Sequence, residues 1–310
     1  MKIKHILFAI LSLVSIEMKA QQDPIVSQYM FNGLLLNPAY AGSHPYFSTS
    51  LLHRSQWVGW EGAPRTQVFS FQGPLPDRKS GAGFLLANDH LGVTNRTDAF
   101  LNYSYHIRFN ENTALSLGLK GGLSFYQADF TKLIYWDPND EIYSRGKIQN
   151  VLPQFGTGAY FYSPKFYAGI SVPSILSYDP REVFSIGDNV SALPRLRRHY
   201  FLTAGYAMEI SPWLVAKPSL TLRYVKSGPP QADFNLNFFI NRLLWVGASY
   251  RTGDAVVGIL EFQASRKLRF GYAYDYTLSD ITKFSNGSHE LMISYDFGYD
   301  IMKMKTPRYF

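Results

Sequence analysis

From Phe47 to Phe297 the chain repeats one pattern: short runs, about 8 to 12 residues long, in which apolar and polar side chains alternate. Successive side chains of a strand point to opposite faces, so alternation with period two is the signature of a strand with one apolar face. Fourteen runs can be marked, near 47–58, 64–73, 81–89, 95–109, 113–128, 154–162, 166–172, 199–209, 214–226, 232–240, 243–251, 255–264, 268–277 and 289–297. In the fourth, Leu101, Tyr103, Tyr105, Ile107 and Phe109 share one face, and Asn102, Ser104, His106 and Arg108 share the other. The thirteenth sets Phe270, Tyr272, Tyr274 and Tyr276 against Gly271, Ala273 and Asp275, and the fourteenth sets Leu291, Ile293, Tyr295 and Phe297 against Glu290, Met292, Ser294 and Asp296.

A soluble β-sandwich produces the same period, so the connections decide between architectures. Those after even-numbered runs are short, as at Asn110–Asn112, Ser163–Lys165, Asn241–Arg242 and Ser265–Lys267. The long ones, Phe130–Pro153, Pro173–Arg198 and Leu278–Ser288, all follow odd-numbered runs. Short turns at one end and long loops at the other are the asymmetry of an outer-membrane barrel with its turns in the periplasm. No window after the first twenty residues is an apolar run long enough for a transmembrane helix, so a membrane form has to close its strands into a barrel. Aromatic residues make up 16% of the chain and charged residues 17%, a balance unlike that of a soluble enzyme. All five tryptophans (Trp57, Trp60, Trp136, Trp213 and Trp245) fall at or beside run ends and are expected in the interfacial girdles.

Residues 1–20 read as a secretory signal peptide cleaved after Ala20. Lys2 and Lys4 precede the apolar stretch Ile6–Ile16, which is too short to span a bilayer as a helix. Losing Lys2, Lys4, Lys19 and Glu17 lowers the formal charge from +7 to +5. With no basic block beyond Arg195, Arg197 and Arg198, that charge does not point to nucleic acid. Residues 21–46 then form a hatch or plug, 47–297 the barrel, and 298–310 a tail that an even strand number returns to the periplasm, together with the N-terminus. Within the plug, the weakly amphipathic Met30–Leu36 stops at Asn37-Pro38, where proline removes a backbone donor and biases the preceding residue away from helix.

Little in the chain points to catalysis. Cysteine is absent, which excludes disulfides, cysteine nucleophiles and thiolate metal sites. The histidines form no HExxH and no close pair, so no metal site is expected; His106 and His289 read as interior or rim residues. Ser288-His289-Glu290 cannot act as a nucleophile and base within a strand, because Ser288 and His289 point to opposite faces. Asp137, Asp140 and Glu141 lack the glycine and terminal glutamate of a calcium loop, and Gly118, Gly121 and Gly122 mark a bend or a close approach within a strand. Catalytic, cofactor and metal residues are therefore assigned as none. The loop 173–198, with Tyr178, Phe184, Arg195, Arg197 and Arg198, is either a partner-binding surface or a lid over the barrel mouth.

Several separated blocks, QDPIVSQYMFN (22–32), NPAYAGS (37–43), RSQWVGWEGAP (54–64), GYAYDYTLS (271–279), GSHELMISYDF (287–297) and the terminal PRYF (307–310), occur in an order that resembles the PorP/SprF family of type IX secretion system outer-membrane proteins from Bacteroidota. The resemblance covers essentially the whole mature chain. It implies an all-β barrel of about fourteen strands similar to the FadL and PorV type, with an N-terminal hatch whose Asn-Pro-Ala motif matches Asn37, Pro38 and Ala39, followed by Tyr40 and Gly42. It further implies a non-enzymatic role in exporting or anchoring a partner that bears a type IX C-terminal sorting domain, such as a gliding adhesin. Other implied contacts are outer-membrane lipid and translocon or periplasmic components. Partner contact is expected at the loop residues named above and at Arg308, Tyr309 and Phe310 of the tail. A FadL-like channel for a small hydrophobic ligand is the alternative; its interior would include Phe239 and Met292.

Overall fold

The computed structural model describes residues 26–133, 146–176, 197–226 and 228–298. Its strands are β1 Phe47–Ser55, β2 Arg65–Pro74, β3 Ser80–Leu91, β4 Thr94–Asn110, β5 Thr113–Asp129, β6 Lys147–Tyr162, β7 Phe166–Val172, β8 His199–Tyr206, β9 Met208–Ser211, β10 Leu214–Val225, β11 Gln231–Ile240, β12 Leu244–Arg251, β13 Ala255–Gln263, β14 Leu268–Thr277 and β15 Ser288–Phe297. Both β8 and β9 pair antiparallel with β10, so they are two halves of one barrel strand interrupted at Ala207. Each remaining strand pairs antiparallel with its sequence neighbour, β1 pairs with β15, and the circuit closes as a fourteen-stranded barrel. Closure pairs the first strand with the last, as a strand-built membrane protein requires.

Side chains sort as the alternation requires. On β4, Leu101, Tyr103, Tyr105, Ile107 and Phe109 are 70, 48, 45, 40 and 63% exposed, whereas Asn102, Ser104 and His106 are at most 4% exposed. The exposed face carries the apolar band that meets lipid; the buried face lines a packed lumen. On β15, Leu291, Ile293 and Tyr295 face out, and Glu290, Met292, Ser294 and Asp296 face in. Ser288 is buried and His289 lies on the outer face, where its Nδ1 is 2.7 Å from the Tyr272 hydroxyl.

Turn chemistry fixes the short end of the barrel. Asn241 and Arg242 both take positive φ, 51° and 55°, a geometry that follows the twist of the flanking strands. In the β2–β3 turn, Asp77 accepts hydrogen bonds from the backbone of Lys79 and Ser80 and from the Ser80 hydroxyl. Those bonds hold its carboxyl below the ordinary aspartate range.

Two sequence expectations need correction. Trp245 belongs to no girdle: it is 7% exposed, points into the lumen, stacks on Phe239 at 4.5 Å and meets Phe31 edge-on at 6.0 Å. Its place near a strand end gave the girdle reading, yet its position on β12 puts it on the inner face. Trp60 and Trp213 are exposed at 47 and 55%, and Trp136 lies outside the described residues. The sixth strand also starts earlier than its alternation suggests. Lys147–Pro153 continues the ladder opposite Asp129–Leu123, although a proline interrupts the pattern.

Above Thr157, β6 has β5 as its only ladder partner among the described residues, because β7 ends at Val172. Residues 173–176 and 197–198 lie against this stretch. The Ile175 amide donates to the Phe155 carbonyl at 2.6 Å, and Arg198 Nε donates to the Ile175 carbonyl at 2.8 Å.

Candidate functional site: a segment threaded through the lumen

The lumen is filled by residues 26–43, which form three short 3-10 turns, Tyr29–Phe31, Gly33–Leu35 and Pro38–Tyr40. Regular helix is not reached because Asn32 and Asn37 take extended or irregular backbone angles between the turns and Pro38 begins the third. The segment runs obliquely from one end of the barrel to the other. Ser27 lies beside Arg54, Asp275 and Glu290, at the long-loop ends of β1, β14 and β15, whereas Gly42 lies against Gly73, Pro74 and Gly81, at the β2–β3 turn. The first described residues thus lie at the loop end; the mature N-terminus, expected in the periplasm, lies outside the described residues. Residues 21–25 and 299–310, and with them the tail residues Arg308, Tyr309 and Phe310, lie outside the described residues.

At the loop end the segment is held by charge. The Glu290 carboxylate accepts the backbone N–H of Ser27 at 2.7 Å and that of Gln28 at 2.8 Å. Asp275 accepts the Ser27 hydroxyl at 2.8 Å. Arg54 bridges the two acids, 2.7 Å from Asp275 and 3.2 Å from Glu290, and Arg251 pairs with Asp233, Asp254 and Asp275 at 3.2–3.5 Å. Arg54, Arg251, Asp275 and Glu290 are each at most 3% exposed. Charges buried this deeply are stable only with partners, so removing one leaves the others uncompensated. Arg54 and Glu290 also stand directly opposite each other in the β1–β15 ladder, so the wall itself sets this pairing.

In the middle, Asn32 donates to the hydroxyls of Ser50 on β1 and Ser70 on β2, at 2.8 and 2.6 Å. The Tyr29 hydroxyl accepts from Asn235 at 2.9 Å. Tyr29, Met30 and Leu34 are buried, and full burial of such side chains contributes about 1.5–3 kcal/mol each.

At the turn end the contact is backbone on backbone. Asn37 caps its own turn by accepting the Ala39 N–H at 2.9 Å, and its amide donates to the Ala159 carbonyl at 3.0 Å. The wall opposite is glycine at each point of close approach. A Cβ at Gly118 would collide with the backbone of Ala39, one at Gly158 with the Asn37 side chain, and one at Gly81 with the Ala41 carbonyl. The close-approach reading of Gly118 therefore describes its position, with the plug backbone as the group approached. Ser104 and Ser171 donate to the Ala41 and Leu36 carbonyls at 2.5 and 2.7 Å. Tyr40 packs edge-on against Tyr160 at 5.4 Å, and its hydroxyl meets His44 Nε2 at 2.8 Å. Gly42, with φ of 66°, takes the left-handed turn that releases the chain towards β1.

Pro38, Ala39 and Tyr40 thus pack against β4, β5 and β6, Asn37 against β6 and β7, and Gly42 against the β2–β3 turn. Of the loop residues, Arg197 lines a lumen cavity and Arg198 braces residue 175, while Tyr178, Phe184 and Arg195 lie outside the described residues. The sequence reading missed the anchors at Arg54, Arg251, Asp275 and Glu290. The available signal was a charged residue on the inward face of an otherwise alternating strand. Among the described residues no cluster of His, Cys, Asp and Glu could hold a metal ion.

Comparison with known proteins places these features in context. The family described as type IX secretion system membrane protein PorP/SprF matches residues 18–295. No curated protein matches the chain. Solved structures that resemble it include the CymD monoaromatic hydrocarbon channel (12% identity, 89% of this chain and 93% of that one, TM-score 0.48). Others are the Acinetobacter baumannii outer membrane protein Omp33 (7%, 82% and 99%, TM-score 0.47) and a Pseudomonas aeruginosa FadL homologue (10%, 89% and 95%, TM-score 0.45).

Proposed function

Because the chain belongs to the PorP/SprF family of type IX secretion system membrane proteins, we propose that it is a non-enzymatic outer-membrane component that assists secretion or surface attachment of a partner bearing a type IX sorting domain. The observation that carries this reading is the family match across nearly the whole barrel. The filled lumen supports it over a channel for a small hydrophobic ligand: the threaded segment is anchored at both ends and occupies the axis along which such a solute would pass. In this reading the signal peptide is removed after Ala20, and the tail 298–310 faces the periplasm, since β15 ends at the short-turn side. The loop 173–198 and the tail contact the partner or the translocon, and residues 21–46 act as the hatch. Deleting the gene tests it: the surface level of at least one protein bearing a type IX sorting domain should fall and return on complementation. Normal surface levels in the deletion strain would refute the role. Co-purification of that protein with the detergent-extracted barrel is the direct companion measurement.

A further inference from the structure

On the outer wall the loop-side border of the apolar band is uneven. One row of outward side chains is apolar across five strands, from Phe270 on β14 through Ile293, Leu51 and Phe69 to Leu86 on β3. In the next row towards the loops, Leu291 on β15 and Phe125 on β5 continue the band, both exposed, but His53, Gln67, Asn88 and Thr97 on the four strands between them are polar. The row beyond holds Ser55, Arg65 and His90. Exposed aromatic surface then returns on the β1–β2 and β14–β15 connections, where the Trp60 and Phe284 rings lie 6.2 Å apart. We infer that this polar notch binds the phosphate of an acidic membrane lipid, whose acyl chains lie along the row of Leu51, Phe69 and Leu86; the inference rests on the membrane-barrel reading of the fold.

Arg65 supplies the charge. It is exposed, and among the described residues its guanidinium has neither an ion pair nor a hydrogen bond. Gln67 and His90, on the same face, make no side-chain hydrogen bond among the described residues either. Asn88, by contrast, is committed to Asn95 and Thr97 at 2.7 and 2.8 Å, and His53 to Ser55 at 3.1 Å. The carboxylates of β14, β15 and β1–β4 all point the other way: Asp98, Asp275, Glu290 and Asp296 are buried in the lumen, and Asp89 accepts from the inward Thr66 at 2.7 Å. Glu61, on the β1–β2 connection, forms no ion pair with Arg65. A guanidinium stays charged at this level, its planar fork matches two phosphate oxygens, and a neutral histidine ring still offers one N–H. The apolar row directly below these donors fits the acyl part of the same molecule, which favours a lipid over a soluble phosphate.

The test uses the whole mature protein in detergent, mixed with equal amounts of phosphatidic acid and phosphatidylcholine of the same acyl chains. Native mass spectrometry then counts the lipid retained. Phosphatidic acid should be retained about tenfold over phosphatidylcholine, at about one molecule per barrel. Arg65→Gln should remove that preference, and Gln67→Leu combined with His90→Leu should lower it in part, with heat-modifiable migration on gels reporting that each variant folds. Arg266→Gln, in the β13–β14 turn at the other end of the wall, is the control and should leave retention unchanged. Equal retention of the two lipids, an Arg65→Gln variant that binds as the wild type does, or the same loss in Arg266→Gln would overturn the assignment. None of these outcomes depends on whether the protein acts in secretion.

Discussion

Gly158 faces Asn37 so closely that any side-chain carbon at Gly158 would collide with the Asn37 Oδ1. That oxygen already accepts the Ala39 N–H, and the Asn37 amide nitrogen donates to the Ala159 carbonyl, so the Asn37 side chain has no slack to retreat. Gly158→Ala should therefore lower stability by about 1–3 kcal/mol, the usual cost of overpacking, and displace the Asn37–Gly42 stretch. The measurement is the temperature at which the barrel loses its compact gel migration. A variant that melts with the wild type would mean that the asparagine is not fixed as described. Gly258→Ala is the control, because its Cβ would meet nothing within 4 Å.

Glu290 offers a different kind of anchor. Its carboxylate accepts from two successive backbone amides and pairs with Arg54. Glu290→Gln keeps the shape but removes the charge and one acceptor, leaving Arg54 with Asp275 alone. Breaking a buried pair in this way typically costs about 3–5 kcal/mol. Faster hydrogen exchange at residues 26–31 than at 37–43 is the expected readout, since the loop-end anchor is lost and the glycine-docked end is not. Uniform protection across the segment in the variant would show that the carboxylate does not hold it.

Lipid-facing positions should respond to charge according to depth. Leu119, 63% exposed, lies midway along the outer apolar face of β5, which runs from Leu115 to Phe125 before giving way to Gln127. Leu119→Arg should cost about 2–4 kcal/mol, whereas Gln127→Arg should cost close to nothing. Folding yields into bilayers, measured side by side, discriminate the two. Equal yields would place the membrane band elsewhere on β5.

The barrel was legible because its alternation is set residue by residue, and a polar or apolar choice at each position decides a face. The contrast on β4, and the inward placement of Asp275, Glu290 and Met292, follow from that period alone. What the period cannot convey is which inward residues meet. Arg54 and Asp275 are separated by 221 residues, and only closure brings them to 2.7 Å. Gly81, Gly118 and Gly158 are unremarkable in sequence, one on each of three strands, and become a docking surface only once a second chain segment lies across them. Trp245 misled because proximity to a strand end and orientation on the strand are separate properties. The alternation that would have placed it inward, with Gly247 and Ser249, is interrupted by small residues on both faces.

The two anchors act on one segment, so their removal should be coupled. With only Glu290→Gln, the Asn37–Gly42 stretch still docks on glycine; with only Gly158→Ala, Ser27 and Gln28 remain held by charge. Either single variant leaves the segment in the lumen, and passage of ions along the axis stays restricted. The double variant loosens both ends, and the inner wall beside the segment carries Lys217, Glu261, Arg269 and Asp296, charges that water and ions can solvate when the segment moves. In planar bilayers the wild type and both single variants are expected to show only brief, small conductance events, and the double variant sustained openings. Non-additivity of this sort is the mark of two sites sharing one structural element. Sustained conductance in the wild type, equal to that of the double variant, would mean that the segment does not block the lumen.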